Sequence, residues 1–118
     1  MKTIFLGKLS ALASAIFAIG LLSSANAESL RVGMECTYAP FNYKTSDGEL
    51  AGYDVDVANG VARIIGADIE FVCQEWDGMI PALLANKFDL IIASMSITEK
   101  RMKRIDFSGP YRFSTGQM

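Results

Sequence analysis

The chain has 118 residues, with 11 Lys and Arg, 13 Asp and Glu, two Cys and no His. This length allows one small domain. The weakly acidic balance argues against a nucleic-acid partner, which usually needs a basic face. The absence of His removes the commonest metal ligand and the commonest general base, and two Cys cannot build a four-ligand zinc site. We therefore expect neither a metal nor a cofactor.

Residues 1–27 have the pattern of a cleavable secretory signal. Lys2 and Lys8 give a positive start, residues 9–22 are nearly all apolar, and Ala25-Asn26-Ala27 has the small-x-small form of a cleavage site. The alternative is an uncleaved membrane anchor, but a membrane span needs ~20 apolar residues. We predict cleavage after this pattern and export to the periplasm, which is an oxidising compartment.

The rest of the chain, residues 28–118, alternates between strand and helix patterns. In chain order the predicted elements are a strand over 29–35, a short extended return over 50–53, a helix from Asp54 to Gly66, a strand over 69–73, a helix after Asp77, a strand over 89–93 buried on both faces, and a short basic helix after Thr98. Asp54 and Asp77 are predicted as helix caps. Alternating strands and helices predict an α/β fold with a parallel βαβαβ sheet.

Ligands of such sheets bind outside the carboxyl ends of the strands. That rule selects three segments, residues 35–38, 75–76 and 94–101. Because the strands are parallel, we expect the three segments to lie along one edge of the sheet.

The last of these segments carries groups suited to a carboxylate. Ser94 and Ser96 offer hydroxyls, Thr98 begins the basic helix, and the guanidinium of Arg101 matches a carboxylate with two parallel hydrogen bonds. The alternative interpretation is a surface loop followed by a solvated basic helix.

The other two segments, residues 35–38 and 75–76, contain two aromatic rings and an acidic side chain suited to a ligand site. Tyr38 and Trp76 could line a ligand side chain, and a cation would be favoured at their ring faces. Ordinary core packing is the alternative for each ring. Glu35 could pair with a cationic group, or it could be a solvated acid at the end of a strand.

Cys36 and Cys73 follow the first two strands. If those strands are neighbours, the two Cα atoms fall within bridging distance, under ~7 Å. A disulfide is favoured over two buried thiols because the chain is predicted to be exported.

Four segments carry a family resemblance: TYAPFNY (37–43), GELAGYDVDVANGVA (48–62), WDGMIPALLANKFDLIIASMSITEKR (76–101) and IDFSGPY (105–111). They resemble the periplasmic solute-binding proteins of polar amino-acid ABC transporters, of the lysine/arginine/ornithine/histidine type in family 3. The resemblance implies a two-lobed fold that closes over one amino acid, as periplasmic binding proteins do in general. Because family members are longer, it also implies that residues 28–118 are the first part of lobe 1 and that the chain is a truncated form.

The resemblance also implies roles for individual residues. Ser94, Ser96, Thr98 and Arg101 correspond to the segment that grips the α-carboxylate and α-ammonium of the ligand. Tyr38 and Trp76 correspond to the pair that sandwiches its side chain, and Glu35 to the acid that reads a distal cation. The implied ligand is a polar or basic amino acid, or an amide or opine.

We therefore expect a monomeric binding protein, not an enzyme, that delivers an amino acid to the membrane permease of an ABC importer. Two alternatives use the same fold: a cyclohexadienyl dehydratase-like enzyme, and a ligand-sensing receptor domain. The residues present include no evident acid–base pair in a pocket, which favours the binding protein.

Overall fold

The computed structural model describes residues 29–115, so the predicted signal lies outside the described residues. The strands are β1 (Ser29–Met34), β2 (Thr37–Tyr38), β3 (Asn42–Lys44), β4 (Leu50–Ala51), β5 (Asp68–Cys73) and β6 (Leu90–Ile91). The helices are α1 (Tyr53–Ile65), α2 (Met79–Leu84) and α3 (Glu99–Met102), and a single 3-10 turn, Trp76–Gly78, precedes α2. Within this range, no helix has the length and apolar character needed to cross a membrane.

The main sheet is parallel, with β1 between β5 and β6. Val32 lies opposite Phe71 on one side and Leu90 on the other. This arrangement confirms the predicted βαβαβ order. A second, antiparallel sheet of β2, β3 and β4 contains the predicted return of residues 50–51 against residues 43–44.

Strand β6 is shorter than predicted and is only partly buried. It forms an edge of the described sheet, so its backbone pairs on one side only. Single hydrogen bonds extend the pairing, from the Asp89 N–H to the Arg31 carbonyl (2.9 Å) and from the Ile92 N–H to the Gly33 carbonyl (3.2 Å). Residues 89–92 of the apolar run therefore follow β1 without forming a longer regular strand.

The core lies between the main sheet and helices α1 and α2. Its buried members come from every layer: Val32, Met34, Cys36, Val55, Ala58, Met79, Ala82, Phe88, Ile92 and Ala93. Phe88 is the largest fully buried side chain, and its ring lies against the backbone of Gly33 in β1. A Cβ at Gly33 would stand 2.6 Å from that ring, so glycine is needed there for space.

Glycines also define both ends of α1. Gly52 precedes the helix at φ 121°, and a Cβ there would collide with the carbonyl of Phe41. That carbonyl accepts a hydrogen bond from the Asp54 N–H at 2.7 Å. Gly66 ends the helix in the left-handed conformation, as predicted, because a residue without Cβ adopts it at little cost.

The two predicted aspartate caps are wrong. The N-cap of α1 is Gly52, and Asp54 lies inside the first turn with its carboxylate fully buried. The N-cap of α2 is Gly78, and Asp77 lies in the preceding 3-10 turn without a capping hydrogen bond. Asp54 instead accepts hydrogen bonds from side chains of other elements, which sequence spacing does not reveal.

An ion pair holds the start of β6 against β1. The Arg31 guanidinium donates to both carboxylate oxygens of Asp89, at 2.7 and 3.1 Å, and also to the carbonyls of Asn86 and Lys87. Hydrogen bonds from Arg31 lower the pKa of Asp89 below its ordinary 3.8.

We expect Gly33→Ala to destabilise the fold by about 1–3 kcal/mol, because the added methyl overpacks the site beside Phe88. Gly60→Ala is the matched control. Gly60 lies in α1 with open space where a Cβ would stand, so alanine should stabilise the helix by about 0.5–1 kcal/mol. Urea unfolding measures both changes. Equal free energies of unfolding for the two variants would contradict the packing argument.

We expect Asp89→Asn to change the pH dependence of stability. Because the pKa of Asp89 is lowered in the folded state, its stabilisation is present above 3.8 and is lost as pH falls through the folded-state value. The difference in free energy of unfolding between wild type and variant should therefore shrink from pH 5 towards pH 2. Arg31→Met should remove the same pH-dependent contribution, and a difference independent of pH would contradict the assignment.

Candidate functional site

The parallel register brings the loops after β1 and β5 together. Met34 lies opposite Cys73 at the carboxyl ends of the two strands, and the Gln74 N–H donates to the Met34 carbonyl at 2.9 Å. Cys36, two residues after Met34, forms a disulfide with Cys73, and the two Cα atoms are 5.6 Å apart. The predicted bridge is thus present, and it joins the segment carrying Glu35 to the segment carrying Trp76.

Glu35 and Trp76 share an open depression of about 330 Å³. The remaining lining residues are mainly polar or acidic: Thr37, Cys73, Gln74, Glu75 and Asp77. Sequence reasoning identified Glu35 and Trp76 but assigned no role here to Glu75 or Asp77. The lining of this acidic depression thus includes three carboxylates and one aromatic ring, which suits a cationic group.

Ser96, Thr98 and Arg101 share a second open depression, of about 460 Å³. Its other lining residues are Ile80, Lys100 and Arg104, so its charged groups are all cationic. This basic depression suits a carboxylate, because guanidinium and hydroxyl groups both donate to carboxylate oxygens.

Arg101 connects the two depressions. Its guanidinium lies over the Trp76 ring, 5.3 Å from the ring centroid, and its Nη1 donates to the Ser96 carbonyl at 2.8 Å. Its backbone N–H donates to Thr98 Oγ1 at 3.2 Å, so Thr98 is the N-cap of α3 as predicted. Arg101, which lines the basic depression, therefore contacts Trp76, which lines the acidic depression.

Ser94 lies apart from both depressions, in a hydrogen-bond network centred on Asp54. Asp54 Oδ1 accepts from Ser94 Oγ at 2.8 Å and from the Tyr111 hydroxyl at 2.9 Å, while Oδ2 accepts from Asn42 Nδ2 at 2.8 Å. Asn42 Oδ1 in turn accepts from the Cys36 N–H at 2.9 Å. The network thus extends from the disulfide to the segment after β6.

Tyr111 brings the segment after α3 into this network. Its hydroxyl accepts from the Ser94 N–H at 2.7 Å, and its carbonyl accepts from the Tyr53 hydroxyl at 3.1 Å. Burial, and then its hydrogen bond to Asp54, raise the pKa of Tyr111 to about 12. Sequence reasoning gave Tyr111 no role. Its place in the IDFSGPY segment of the resemblance was the available signal.

Tyr38 does not join Trp76 around a common depression. It lies in β2, 45% exposed, with its ring packed against Phe41 at 4.9 Å between centroids. Arg112 covers the Phe41 ring at 4.4 Å. The described structure therefore brings Glu35 together with Trp76, and Ser96 together with Thr98 and Arg101, whereas Tyr38 and Ser94 line neither depression.

The described residues offer no group of three side chains that could hold a metal ion. What they offer is an acidic and a basic surface joined by a stacked Arg101 and Trp76. Such a pair of surfaces suits a small molecule with charges of both signs.

Residues 30–118 match the family described as bacterial extracellular solute-binding proteins, family 3. The match covers most of the chain, and the chain belongs to this family. The fold and the resemblance predicted from sequence are thereby confirmed.

Named relatives are amino-acid-binding proteins. The chain is 42% identical over 99 residues to the L-arginine-binding protein of Pseudomonas aeruginosa, covering 84% of this chain and 38% of that protein. It is 44% identical over 81 residues to the histidine-binding periplasmic protein of Escherichia coli K12, covering 69% of this chain and 31% of that protein. The chain thus spans about a third of the length of these relatives.

Two solved structures bear on the choice of function. The Phe57Trp mutant of the arginine-bound form of domain 1 from TmArgBP is 42% identical, with a TM-score of 0.72, covering 75% of this chain and 68% of that chain. An ancestral cyclohexadienyl dehydratase, AncCDT-3(P188L), is 40% identical, with a TM-score of 0.68, covering 71% and 35%. Relatives of this fold therefore include both binding proteins and an enzyme.

We expect replacement of both cysteines, Cys36→Ala with Cys73→Ala, to cost roughly 2–4 kcal/mol of stability, because the bridge closes a loop of 37 residues. Thermal unfolding with and without a reducing agent measures this. Reducing agent should lower the midpoint of the wild type to that of the double variant and leave the double variant unchanged. An equal effect of reductant on both proteins would contradict a stabilising bridge.

Proposed function

We propose that this chain binds a polar or basic amino acid, with arginine as the leading candidate. The observation that carries the proposal is the contact between Arg101, which lines a basic depression that also holds two hydroxyl groups, and Trp76, which lines an acidic depression. An amino acid with a cationic side chain has its carboxylate at one end and its cation at the other. In the proposed pose the carboxylate meets Arg101, Ser96 and Thr98, and the side chain extends along Trp76 towards Glu35.

The charge of the acidic depression supports a cationic side chain over an acidic one. Glu35, Glu75 and Asp77 all line it, and a glutamate ligand would place a further carboxylate among them. An amide or opine side chain is tolerated better than a second acid, because it adds hydrogen-bonding capacity at that end. The arginine-binding relative and the arginine-bound domain 1 support the same ligand class.

Tyr38 and Ser94 complete the proposed site at its margins. Tyr38 is exposed on β2, where it can cover a ligand side chain from the side away from the sheet. Ser94 lies two residues before Ser96, and the proposed pose puts the α-ammonium group of the ligand beside it.

We propose that the whole protein works in the periplasm as the soluble receptor of an ABC importer. Residues 1–27 would direct export, and residues 28–118 would form the first part of lobe 1. The periplasmic histidine-binding relative supports this location. The ligand would be delivered to the membrane permease by a monomer.

An enzyme of the cyclohexadienyl dehydratase type is the second candidate, because one structural relative is an ancestral member of that class. Incubation with prephenate or arogenate tests it. Loss of substrate in proportion to protein concentration would favour the enzyme, and its absence together with amino-acid binding would favour the binding protein.

We expect arginine to change the fluorescence of Trp76, the single Trp of the chain, because ligand and Arg101 compete for its surroundings. Titrations with arginine, lysine, octopine, glutamine and glutamate should give the weakest binding for glutamate. Calorimetry provides an independent dissociation constant. Failure of every ligand to bind would overturn the proposal, and glutamate binding as tight as arginine would overturn the assigned role of the acidic depression.

Arg101→Met sharpens this test. Losing the charge-assisted hydrogen bonds to the carboxylate should weaken arginine binding about 10- to 100-fold. Lys103→Met is the matched control, since Lys103 ends the same helix, carries the same charge and lines neither depression. Equal losses in the two variants would indicate a general charge effect in place of a specific contact.

A further inference from the structure

The buried carboxylate of Asp54 has no catalytic or capping role in the features described so far. It is fully buried at the start of α1, and no Lys or Arg in the described residues forms an ion pair with it. Its partners are three uncharged donors from three other parts of the fold, Asn42, Ser94 and Tyr111. A buried charge without a counter-ion is costly, so the donors that surround it are strongly oriented towards it.

These bonds determine what Ser94 can offer to a ligand. Its hydroxyl proton goes to Asp54 Oδ1 and its backbone N–H goes to the Tyr111 hydroxyl. Both donors of Ser94 are therefore used inside the protein, and only oxygen lone pairs remain. Its backbone is also held at φ 51°, a conformation that residues other than glycine rarely adopt. The network thus fixes both the position and the polarity of Ser94.

We propose that Asp54 is a positioning residue that acts through Ser94: it holds Ser94 as a hydrogen-bond acceptor facing the α-ammonium group of the ligand. This inference rests on the proposed function for the identity of the ligand. Tyr111 belongs to the same hydrogen-bond network, because its hydroxyl accepts from the Ser94 N–H and donates to the Asp54 carboxylate. The segment after α3 is thereby linked to the orientation of Ser94, the residue proposed to face the ligand.

The substitution Asp54→Asn should reverse the hydrogen-bonding polarity of Ser94, because asparagine has nearly the same shape as aspartate but carries an NH2 donor. Asn42 cannot turn its amide round, because its Oδ1 already accepts from the Cys36 N–H. The new amide NH2 is therefore directed to the side of Ser94 and Tyr111, whose hydroxyls can accept as well as donate. The Ser94 hydroxyl then turns its proton outward, where it opposes an ammonium group.

The test compares arginine with 5-guanidinopentanoic acid, which lacks only the α-amino group. In Asp54→Asn we expect arginine binding to weaken about tenfold or more and binding of the analogue to stay within about twofold. Asp56→Asn is the matched control, because Asp56 lies exposed in the same helical turn and loses the same charge. It should leave both ligands unaffected.

Equal losses for both ligands in Asp54→Asn, or no loss for either, would overturn the positioning role. Tyr111→Phe gives a second route if Asp54→Asn does not fold. It removes the acceptor of the Ser94 N–H and should again weaken arginine more than the analogue. An equal effect on the two ligands would count against the proposal.

A measurement without ligand separates this inference from the proposed function. The titration of the Tyr111 ring, followed by NMR, should move to lower pH in Asp54→Asn, because the carboxylate that opposes its ionisation is gone. An unchanged titration would overturn the network. If the wild type binds none of the amino acids while Tyr111 responds as expected, the proposed function fails and the role of Asp54 in orienting Ser94 and Tyr111 stands.

Discussion

Strand β1 is hydrogen-bonded on both sides to parallel neighbours, and the placement of the segments that follow β1, β5 and β6 depends on that pairing. Because β1, β5 and β6 run in the same direction, the segments that follow them emerge at one edge of the sheet. The space for this arrangement is provided by Gly33, whose missing side chain admits the Phe88 ring. Strand β1 therefore determines both the packing at the centre of the sheet and the positions of the segments that form the site.

Covalent and polar links then join these segments to one another. The Cys36–Cys73 bridge ties the segment after β1 to the segment after β5. From Cys36 the hydrogen bonds continue through Asn42 to Asp54, and from there to Ser94 after β6. A change at any one of the three segments therefore meets resistance from the other two, which is the rigidity that a preorganised binding surface needs.

Much of the fold could be predicted from sequence because its signals are local. Alternating apolar residues marked β1, a helical spacing marked α1, and the position of the cysteines after two neighbouring strands indicated their pairing. The length of β6 was not predictable, since an apolar run looks the same at the edge of a sheet as at its centre. Asp54 was misassigned for a related reason: an aspartate at the start of a helix satisfies the capping pattern whether or not its carboxylate is turned inward. The role of Tyr111 was also missed. Tyr111 follows an irregular segment, and its contacts with Ser94 and Asp54 span 17 and 57 residues, so no local pattern indicates them.

The contact of Arg101 with Trp76 gives the chain an internal stand-in for a cationic ligand. Its guanidinium already occupies one aromatic surface and donates to the Ser96 carbonyl. A molecule that needs both the arginine and the indole has to part them, and its apparent affinity is reduced by the fraction of time they remain together. Only a ligand whose own contacts with Arg101 and Trp76 outweigh the contact that these two residues lose has a favourable binding free energy. A weak partner with one charge or one apolar group is disfavoured without any steric barrier, so this contact favours molecules that combine a charge with an apolar surface.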